Sequence, residues 1–245
     1  MPIPKLVAHR GYTLRYPENT LPAVQGAIHA GAKFVEVDVQ MSRDKVPFLF
    51  HDKTLRRICN QPGSMRDYSA EQLKTFTAAD TARFGDRFKA VRLATVDEFA
   101  QCLERHPDVT AFVEVKKVSI KAFGSATILR ELRKALEPVF MRCVLLSFDI
   151  DTLELAQNSG WSRIGAVINH WHDRERAQIK ALQPDWLYCD VDGLPGRGSL
   201  ALNETRLVIY EVDQVDTALA LAARGVNFIE TFAFAELHRG LAETT

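Results

Sequence analysis

Residues 34–39 read Phe34-Val35-Glu36-Val37-Asp38-Val39. Along a β-strand successive side chains point to opposite faces, so Val35, Val37 and Val39 share one side and Glu36 and Asp38 the other. Valines facing a helical layer and acids facing inward is the pattern of a central barrel strand. A solvated edge strand also alternates, but its polar positions would show Lys or Thr as readily as acids. Two bare carboxylates in an interior repel each other and lose hydration, which costs several kcal/mol unless a cation compensates.

Outward from this strand, short apolar runs alternate with helical stretches. Strands are expected at 5–9, 34–39, 111–115, 143–148, 163–168, 186–189, 206–212 and 227–231, with an extra short one at 46–50. Helices are expected at 20–30, 96–105, 119–136, 149–159, 173–182 and 213–224, the last followed by Gly225 as a C-cap. Eight βα units in 245 residues imply an α/β fold, a TIM (β/α)8 barrel. A doubly wound dinucleotide fold would need a G-x-G-x-x-G turn, which is missing. Residues 53–92, with a helix at 69–76 and Phe76, Phe84 and Phe88, exceed what a βα loop requires and read as a small insertion. Residues 190–205 are Gly-rich and polar, so the sixth helix is expected to be reduced. The whole of 1–245 reads as a single domain.

Composition narrows the function classes. Lys+Arg and Asp+Glu both number 31, and 47% of the residues are hydrophobic, as in an ordinary globular protein. A neutral total argues against a nucleic-acid surface. Cys59, Cys102, Cys143 and Cys189 are widely spaced and form no C-x-x-C pair, which points to isolated reduced thiols. The opening MPIPKLVAHRGY lacks the apolar run of a signal peptide, and no segment is apolar enough to cross a bilayer. A cytoplasmic protein is expected, acting on a small molecule.

Candidate chemistry gathers at strand ends. Glu114 and Lys116 share a face of the strand Phe112-Val113-Glu114-Val115-Lys116. Glu36, Asp38 and Glu114 make an all-oxygen set suited to one divalent cation, Mg²⁺ or Ca²⁺, whereas zinc would usually recruit His or Cys. His9 closes the first strand and His51 the short extra one, and imidazoles titrating near neutrality can form an acid/base pair. Arg10 offers a planar fork and Lys116 a point charge for a phosphate. No G-x-S-x-G elbow and no P-loop is present. Together these residues favour phosphoryl transfer. Three carboxylates against Arg10, Lys116 and a divalent cation leave one positive charge, matching one phosphodiester anion. His170-Trp171-His172 reads as a loop, and Arg56-Arg57 as solvated surface.

The chain resembles the glycerophosphodiester phosphodiesterases. The resemblance rests on His9-Arg10-Gly11, Pro17-Glu18-Asn19-Thr20, Glu36-Val37-Asp38 and the run from His51-Asp52 through Leu55 to Arg57. Glu114-Val115-Lys116 and Ser147-Phe148-Asp149 continue it. It implies a TIM barrel, a divalent metal on Glu36, Asp38 and Glu114, and His9 and His51 as the acid/base pair. It also implies hydrolysis of glycerophosphodiesters to glycerol 3-phosphate and an alcohol. A cyclic phosphate is a consistent intermediate: the glycerol 2-hydroxyl attacks phosphorus and water then opens the ring. Glu18 either orients Arg10, reaches the metal through water, or is a plain helix-start carboxylate.

The departures come late. Where the family often reads T-V-N and I-T-D with a following proline, this chain has Tyr210-Glu211-Val212 and Glu230-Thr231-Phe232-Ala233-Phe234. Tyr210, Phe232 and Phe234 are candidates to line the mouth and alter substrate choice, or simply to pack. Two alternatives stand beside the favoured reading: lysophospholipase D-type cleavage of lysophospholipid headgroups, and a non-catalytic barrel that binds a phosphorylated ligand.

Overall fold

The computed structural model describes residues 2–244. Its strands are β1 (Lys5–Ala8), β2 (Phe34–Met41), β3 (Pro47–Leu49), β4 (Thr110–Val115), β5 (Cys143–Ser147), β6 (Ile164–Ile168), β7 (Trp186–Asp190), β8 (Arg206–Tyr210) and β9 (Phe228–Thr231). Parallel ladders run from β1 through β2, β4, β5, β6, β7 and β8 to β9, and β9 pairs back onto β1. The eight strands therefore close into a TIM barrel, as the alternation of elements predicts. β3 stands outside the barrel, antiparallel to β2 in a hairpin that pairs Val39 with Leu49 and Met41 with Pro47.

Side chains of alternate parity fill the two sides of the barrel wall. Val35, Val37, Val39, Val113 and Val115 pack outward beneath the helices. Inward, Val7, Phe112, Val144, Trp186, Val208 and Phe228 form a floor across the lumen. The Trp186 ring meets Phe112 and Phe228 edge-on, each at 4.7 Å between centroids. Burying a side chain of this size contributes on the order of 2–3 kcal/mol, so the floor is a major part of the core. Gly165 makes room for it, because a Cβ there would lie 2.4 Å from Leu146 and 3.1 Å from Trp186.

Helices form where a side chain caps the orphan N–H groups. Thr20 accepts from the Ala23 amide ahead of helix Leu21–His29, and Asp149 accepts from Thr152 ahead of helix Ile150–Asn158. Thr95 and Glu98 make a reciprocal capping box for helix Val96–Glu104. The single helix expected at 119–136 is two, Lys117–Phe123 and Ser125–Ala135, because Gly124 adopts φ +77° and breaks the run. The helix expected at 173–182 is the shorter Ala177–Leu182, preceded by a 3-10 turn at Trp171–Glu175. Helix Phe234–Ala242 escaped the sequence reading; Ala233 at its N-cap supplies no side-chain acceptor that would announce it.

Between β7 and β8 lies only the 3-10 turn Val191–Gly193, so the sixth helix is reduced as expected. After β3 come the short helices Arg56–Cys59, Ala70–Thr75 and Thr81–Phe84. They cover a separate apolar cluster of Phe48, Phe50, Leu55, Ile58, Met65 and Leu73. This inserted segment sits over the β2–β3 side of the barrel and anchors the loop that carries His51.

Candidate active site

Above the aromatic floor the lumen turns polar. A cavity of about 220 Å³ opens at the C-terminal ends of the strands, lined among others by His9, Arg10, Glu36, His51, Glu114, Lys116, Tyr188, Tyr210 and Glu230. A larger cavity of about 530 Å³, bounded by Ile3, Lys5, Phe34 and Phe234, lies at the strands' N-terminal ends and carries no carboxylate. The chemistry belongs to the smaller one.

Two local devices place the β1 end. Arg10 and Gly11 both have positive φ, +56° and +83°, which turns the chain sharply after His9. Gly11 also passes so close to helix Leu21–His29 that a Cβ would lie 2.5 Å from the Ala23 carbonyl carbon. The turn aims the Arg10 amide at Glu36, donating to Oε2 at 3.0 Å. His9 is buried and stacks on Phe232 at 4.4 Å with a 17° tilt. Its Nε2 lies 3.9 Å from Glu36 and 3.7 Å from Glu230, and its Nδ1 has no hydrogen-bond partner among the described residues. Burial, then the Arg10 guanidinium, holds its pKa well below the usual imidazole range.

Asp38 is the best-supported acid. Asn19 clamps it, donating from Nδ2 to Oδ2 at 2.7 Å and accepting the Asp38 amide at 2.9 Å. Lys116 Nζ lies 2.7 Å from Oδ1 and Arg10 Nε 3.1 Å from Oδ2. Burial alone would raise its pKa, but the Lys116 and Arg10 charges outweigh it and hold the carboxyl well below the ordinary range. Lys116 also donates to Glu114 at 2.8 Å. For Glu114 burial wins over Lys116, and its pKa rises. Glu36 is pushed up further, by burial and then by Asp38, Glu230 and Glu114, and its Oε1 has no partner among the described residues.

Ligand oxygens of Glu36, Asp38 and Glu114 lie within 4.8 Å of one another. This is a hard, all-oxygen donor set, and Glu36 supplies an uncompensated buried oxygen toward it. The residues fit a divalent cation that binds oxygen. A second set, Glu18, His51 and Asp52, is equally compact, but Arg57 already serves as its cation.

His51 reaches the cavity by a different route from His9. The β2–β3 hairpin folds the chain back, so that Phe50 donates its amide to the Asp38 carbonyl at 2.9 Å. Gln40, on the same strand face as Glu36 and Asp38, donates to the carbonyls of His51 and Asp52 at 2.9 and 2.6 Å. The His51 Nδ1 is 3.0 Å from Asp52 Oδ1, which leaves Nε2 as its free edge. Arg57 grips Asp52 through Nε and Nη2, both at 2.7 Å, and Glu18 through Nη1 and Nη2 at 2.9 and 2.8 Å. Glu18 in turn accepts from Arg10 at 3.1 Å. Arg57 is exposed, as expected from the sequence, but it is also paired: its fork joins the loop of His51 to the arginine beside His9. Glu18 orients Arg10, and its pKa, despite burial, is lowered by Arg57 and Arg10.

The structure thus brings together the residues expected to act as acid/base pair, metal ligands and phosphate binders: His9, Arg10, Glu18, Glu36, His51, Asp38, Glu114 and Lys116. It adds Asn19, Gln40 and Arg57 as their supports, and Glu230 and Tyr188 as further walls of the cavity. Glu230 is 3% exposed, its Oε1 lacks a partner among the described residues, and burial with Glu114 and Asp38 drives its pKa well up. Tyr210 lines the cavity and donates to the Ile168 carbonyl at 3.2 Å. Phe234 is not at the mouth: it starts helix Phe234–Ala242 and packs in the outer layer beside His238. Ser147 donates to the Val115 carbonyl and accepts the Asp149 amide, which sets Phe148 on the rim.

Comparison with known proteins agrees with this fold. Residues 9–226 match the model of the glycerophosphoryl diester phosphodiesterase family. A glycerophosphodiester phosphodiesterase of Caldanaerobacter subterraneus subsp. tengcongensis is 26% identical over 234 residues, covering 92% of this chain and 93% of that protein. One from Bacillus altitudinis is 34% identical over 112 residues, an alignment spanning 46% of this chain and 45% of the relative. The structure of an Oleispira antarctica phosphodiesterase in complex with the product sn-glycerol-3-phosphate superposes with a TM-score of 0.82 at 19% identity, covering 98% of this chain and 97% of that one. No helix among the described residues is long and apolar enough to cross a membrane.

Proposed function

The chain belongs to the glycerophosphoryl diester phosphodiesterase family, and from that premise we propose that it hydrolyses water-soluble glycerophosphodiesters to glycerol 3-phosphate and an alcohol. The observation that carries this reading is the convergence on one cavity of three acids, two phosphate-binding cations and two histidines, each fixed by its own support.

Glu36, Asp38 and Glu114 would hold one divalent cation, Mg²⁺ or Ca²⁺, which when bound acidifies the glycerol hydroxyl and offsets charge on the phosphoryl oxygens. Arg10 and Lys116 bind and orient the phosphodiester, Arg10 by its fork and Lys116 as a point charge. One histidine takes the proton of the attacking 2-hydroxyl while the other protonates the departing alcohol oxygen. The roles reverse when water opens the cyclic phosphate, so both histidines are needed in each half-reaction. His51 enters with its ring fixed by Asp52, and His9 with its ring fixed by the Phe232 stack.

The lysophospholipid alternative finds no support in the insertion. Phe76 packs edge-on against Tyr68 at 4.9 Å, and Phe88 lies against Phe84 at 5.2 Å and Tyr16 at 5.8 Å, so these rings pack on one another. The large exposed hydrophobics among the described residues, Ile3, Leu14, Met141 and Leu155, are scattered.

The test is glycerol 3-phosphate release from several glycerophosphodiesters, before and after stripping with a chelator and on restoring Mg²⁺ or Ca²⁺. Release that stops on stripping and returns with the ion is expected. Full activity in the stripped protein would remove the cation from the mechanism, and no release from any diester would remove the activity.

A further inference from the structure

The two histidines are held by different means. Asp52 fixes the His51 ring through Nδ1 at 3.0 Å. No hydrogen bond fixes the His9 ring among the described residues. Its Nδ1 has no partner, and the carboxylate oxygens nearest Nε2 lie 3.7 and 3.9 Å away, beyond hydrogen-bond length. What sets the plane of the imidazole is the face of Phe232, stacked on it at 4.4 Å. The Arg10 guanidinium lies 5.8 Å from the centre of the same Phe232 ring. A general acid or base must come within hydrogen-bond reach of the proton it moves, so the placing of Phe232 decides whether His9 does.

Phe232 is in turn held by its backbone. It lies between β9 and helix Phe234–Ala242, whose N-cap, Ala233, has no side-chain acceptor of its own. The acceptor comes from the neighbouring strand. Just after β8, Asp213 Oδ1 accepts from the Thr231 hydroxyl at 2.6 Å, the Phe232 amide at 3.0 Å and the Ala233 amide at 3.4 Å. From the other side the Phe232 carbonyl accepts the Leu14 amide at 3.1 Å and the Thr13 hydroxyl at 3.4 Å. The Thr231 carbonyl accepts the His9 amide at 3.0 Å. Both the backbone and the ring of His9 therefore rest on Thr231-Phe232, and a single carboxylate oxygen gathers the donors of that pair. Hydrogen bonds to an ionised acceptor are the stronger kind. Asp213 itself is exposed and does not line the cavity.

We propose that Asp213 is a positioning residue for His9, acting through Thr231 and Phe232. The inference rests on the reading of His9 as one member of the acid/base pair. Without the carboxylate the Phe232 backbone is released on one side, and the ring it carries no longer holds the imidazole in line. A misplacement of about 1 Å at a reacting group costs about 10²-fold, so a partial release should cost about tenfold. The fall belongs to kcat, and KM should change less, because Arg10 and Lys116 keep their own carboxylate partners.

The experiment measures glycerol 3-phosphate release from glycerophosphoglycerol by the metal-replete protein. Asp213→Ala is expected to lower kcat about tenfold. Asp213→Asn keeps an oxygen acceptor in the same place and should stay within about threefold of the wild type. The same substitution is then made in a His9→Ala background, where no imidazole is left to position. There Asp213→Ala should cost less than about twofold more, the non-additivity expected of two residues acting as one unit. A second tenfold loss in that background would overturn the inference and leave Asp213 as a cap for helix Phe234–Ala242 alone. Unchanged kcat in Asp213→Ala would overturn it as well. Near-wild-type turnover in His9→Ala would instead defeat the acid/base reading beneath it. Should Asp213→Ala fail to fold, Phe232→Leu carries the comparison in both backgrounds, with Phe232→Tyr expected to retain activity because it keeps the stack.

Discussion

The two walls of the cavity come from one barrel but are built on different principles. On the β1–β4 wall a linked series runs from His51 to Asp52, Asp52 to Arg57, Arg57 to Glu18, Glu18 to Arg10, Arg10 to Asp38, and Asp38 through Lys116 to Glu114, and leaves His9 Nδ1 and Glu36 Oε1 as its open atoms. On the β5–β9 wall Tyr188 and Glu230 stand with unpartnered atoms. A linked chain of alternating charges fixes geometry before substrate arrives, which is what proton transfer and phosphate orientation require. Groups left unpartnered are satisfied only by the ligand, which is what discrimination between ligands requires. On the proposed reading, the first wall would carry the reaction whatever the alcohol of the diester.

The largest effect should follow from breaking the first wall at its proton carriers. His9→Ala and His51→Ala are each expected to lower kcat by roughly 10³-fold, within the range for loss of a general acid or base. The loss should be the same for every diester, whatever its alcohol. Steady-state kinetics on a cationic and a neutral substrate measures this, and a variant with near-wild-type turnover would break the division between walls.

A smaller loss is expected at Arg57, which touches neither phosphate nor reacting atoms but positions two groups that do. Arg57→Ala frees Asp52 and Glu18 together, so His51 and Arg10 both lose their orientation; support residues of this kind are worth about 10- to 100-fold. The fall should appear mainly in kcat, and Arg57→Lys should recover only part of it, because an ammonium cannot grip two carboxylates as a fork does. If Arg57→Ala changes thermal stability alone and leaves kcat intact, Arg57 is a structural clamp only.

Much of the first wall was legible in the sequence because it is local. His9 to Arg57 is one stretch, and Glu36 with Asp38 declares its inward face by alternation with valines. The eight parallel strands were legible for the same reason, apolar period and turn residues being short-range signals. Asn19 and Arg57 were in view but their roles were not, since a clamp between side chains 19 or 39 positions apart is a property of the closed barrel. Glu230 was hidden more deeply. As a single acid in Phe228-Ile229-Glu230-Thr231, it gives no sign which way it faces until the register of β9 on β1, pairing Val7 with Glu230, places it in the lumen. Phe234 misled for the opposite reason, its nearness in sequence to the mouth hiding a start of helix that turns it outward.

The smallest effects, a few degrees in Tm, should carry opposite signs for Asp52 on the first wall and Glu230 on the second. Asp52 is held below the ordinary carboxylate range: burial opposes ionisation, but His51 and Arg57 outweigh it. Its ionised form therefore favours the folded state above about pH 4, and that contribution is lost as pH falls. Glu230 is held above the ordinary range by burial, Glu114 and Asp38. The folded protein then keeps a proton that the unfolded chain releases, so Glu230 favours folding at low pH and loses that contribution as pH rises. In chelator-stripped protein, Asp52→Asn should lower Tm throughout pH 4–8 and converge on the wild type only well below pH 4. Glu230→Gln, fixed in the neutral form, should match the wild type near pH 4 and exceed it increasingly above. Differential scanning fluorimetry across pH 2–8 reads both curves at once. Parallel shifts of the same sign would mean that Glu230 finds its compensating charge within the chain, and the second wall would then be as closed as the first.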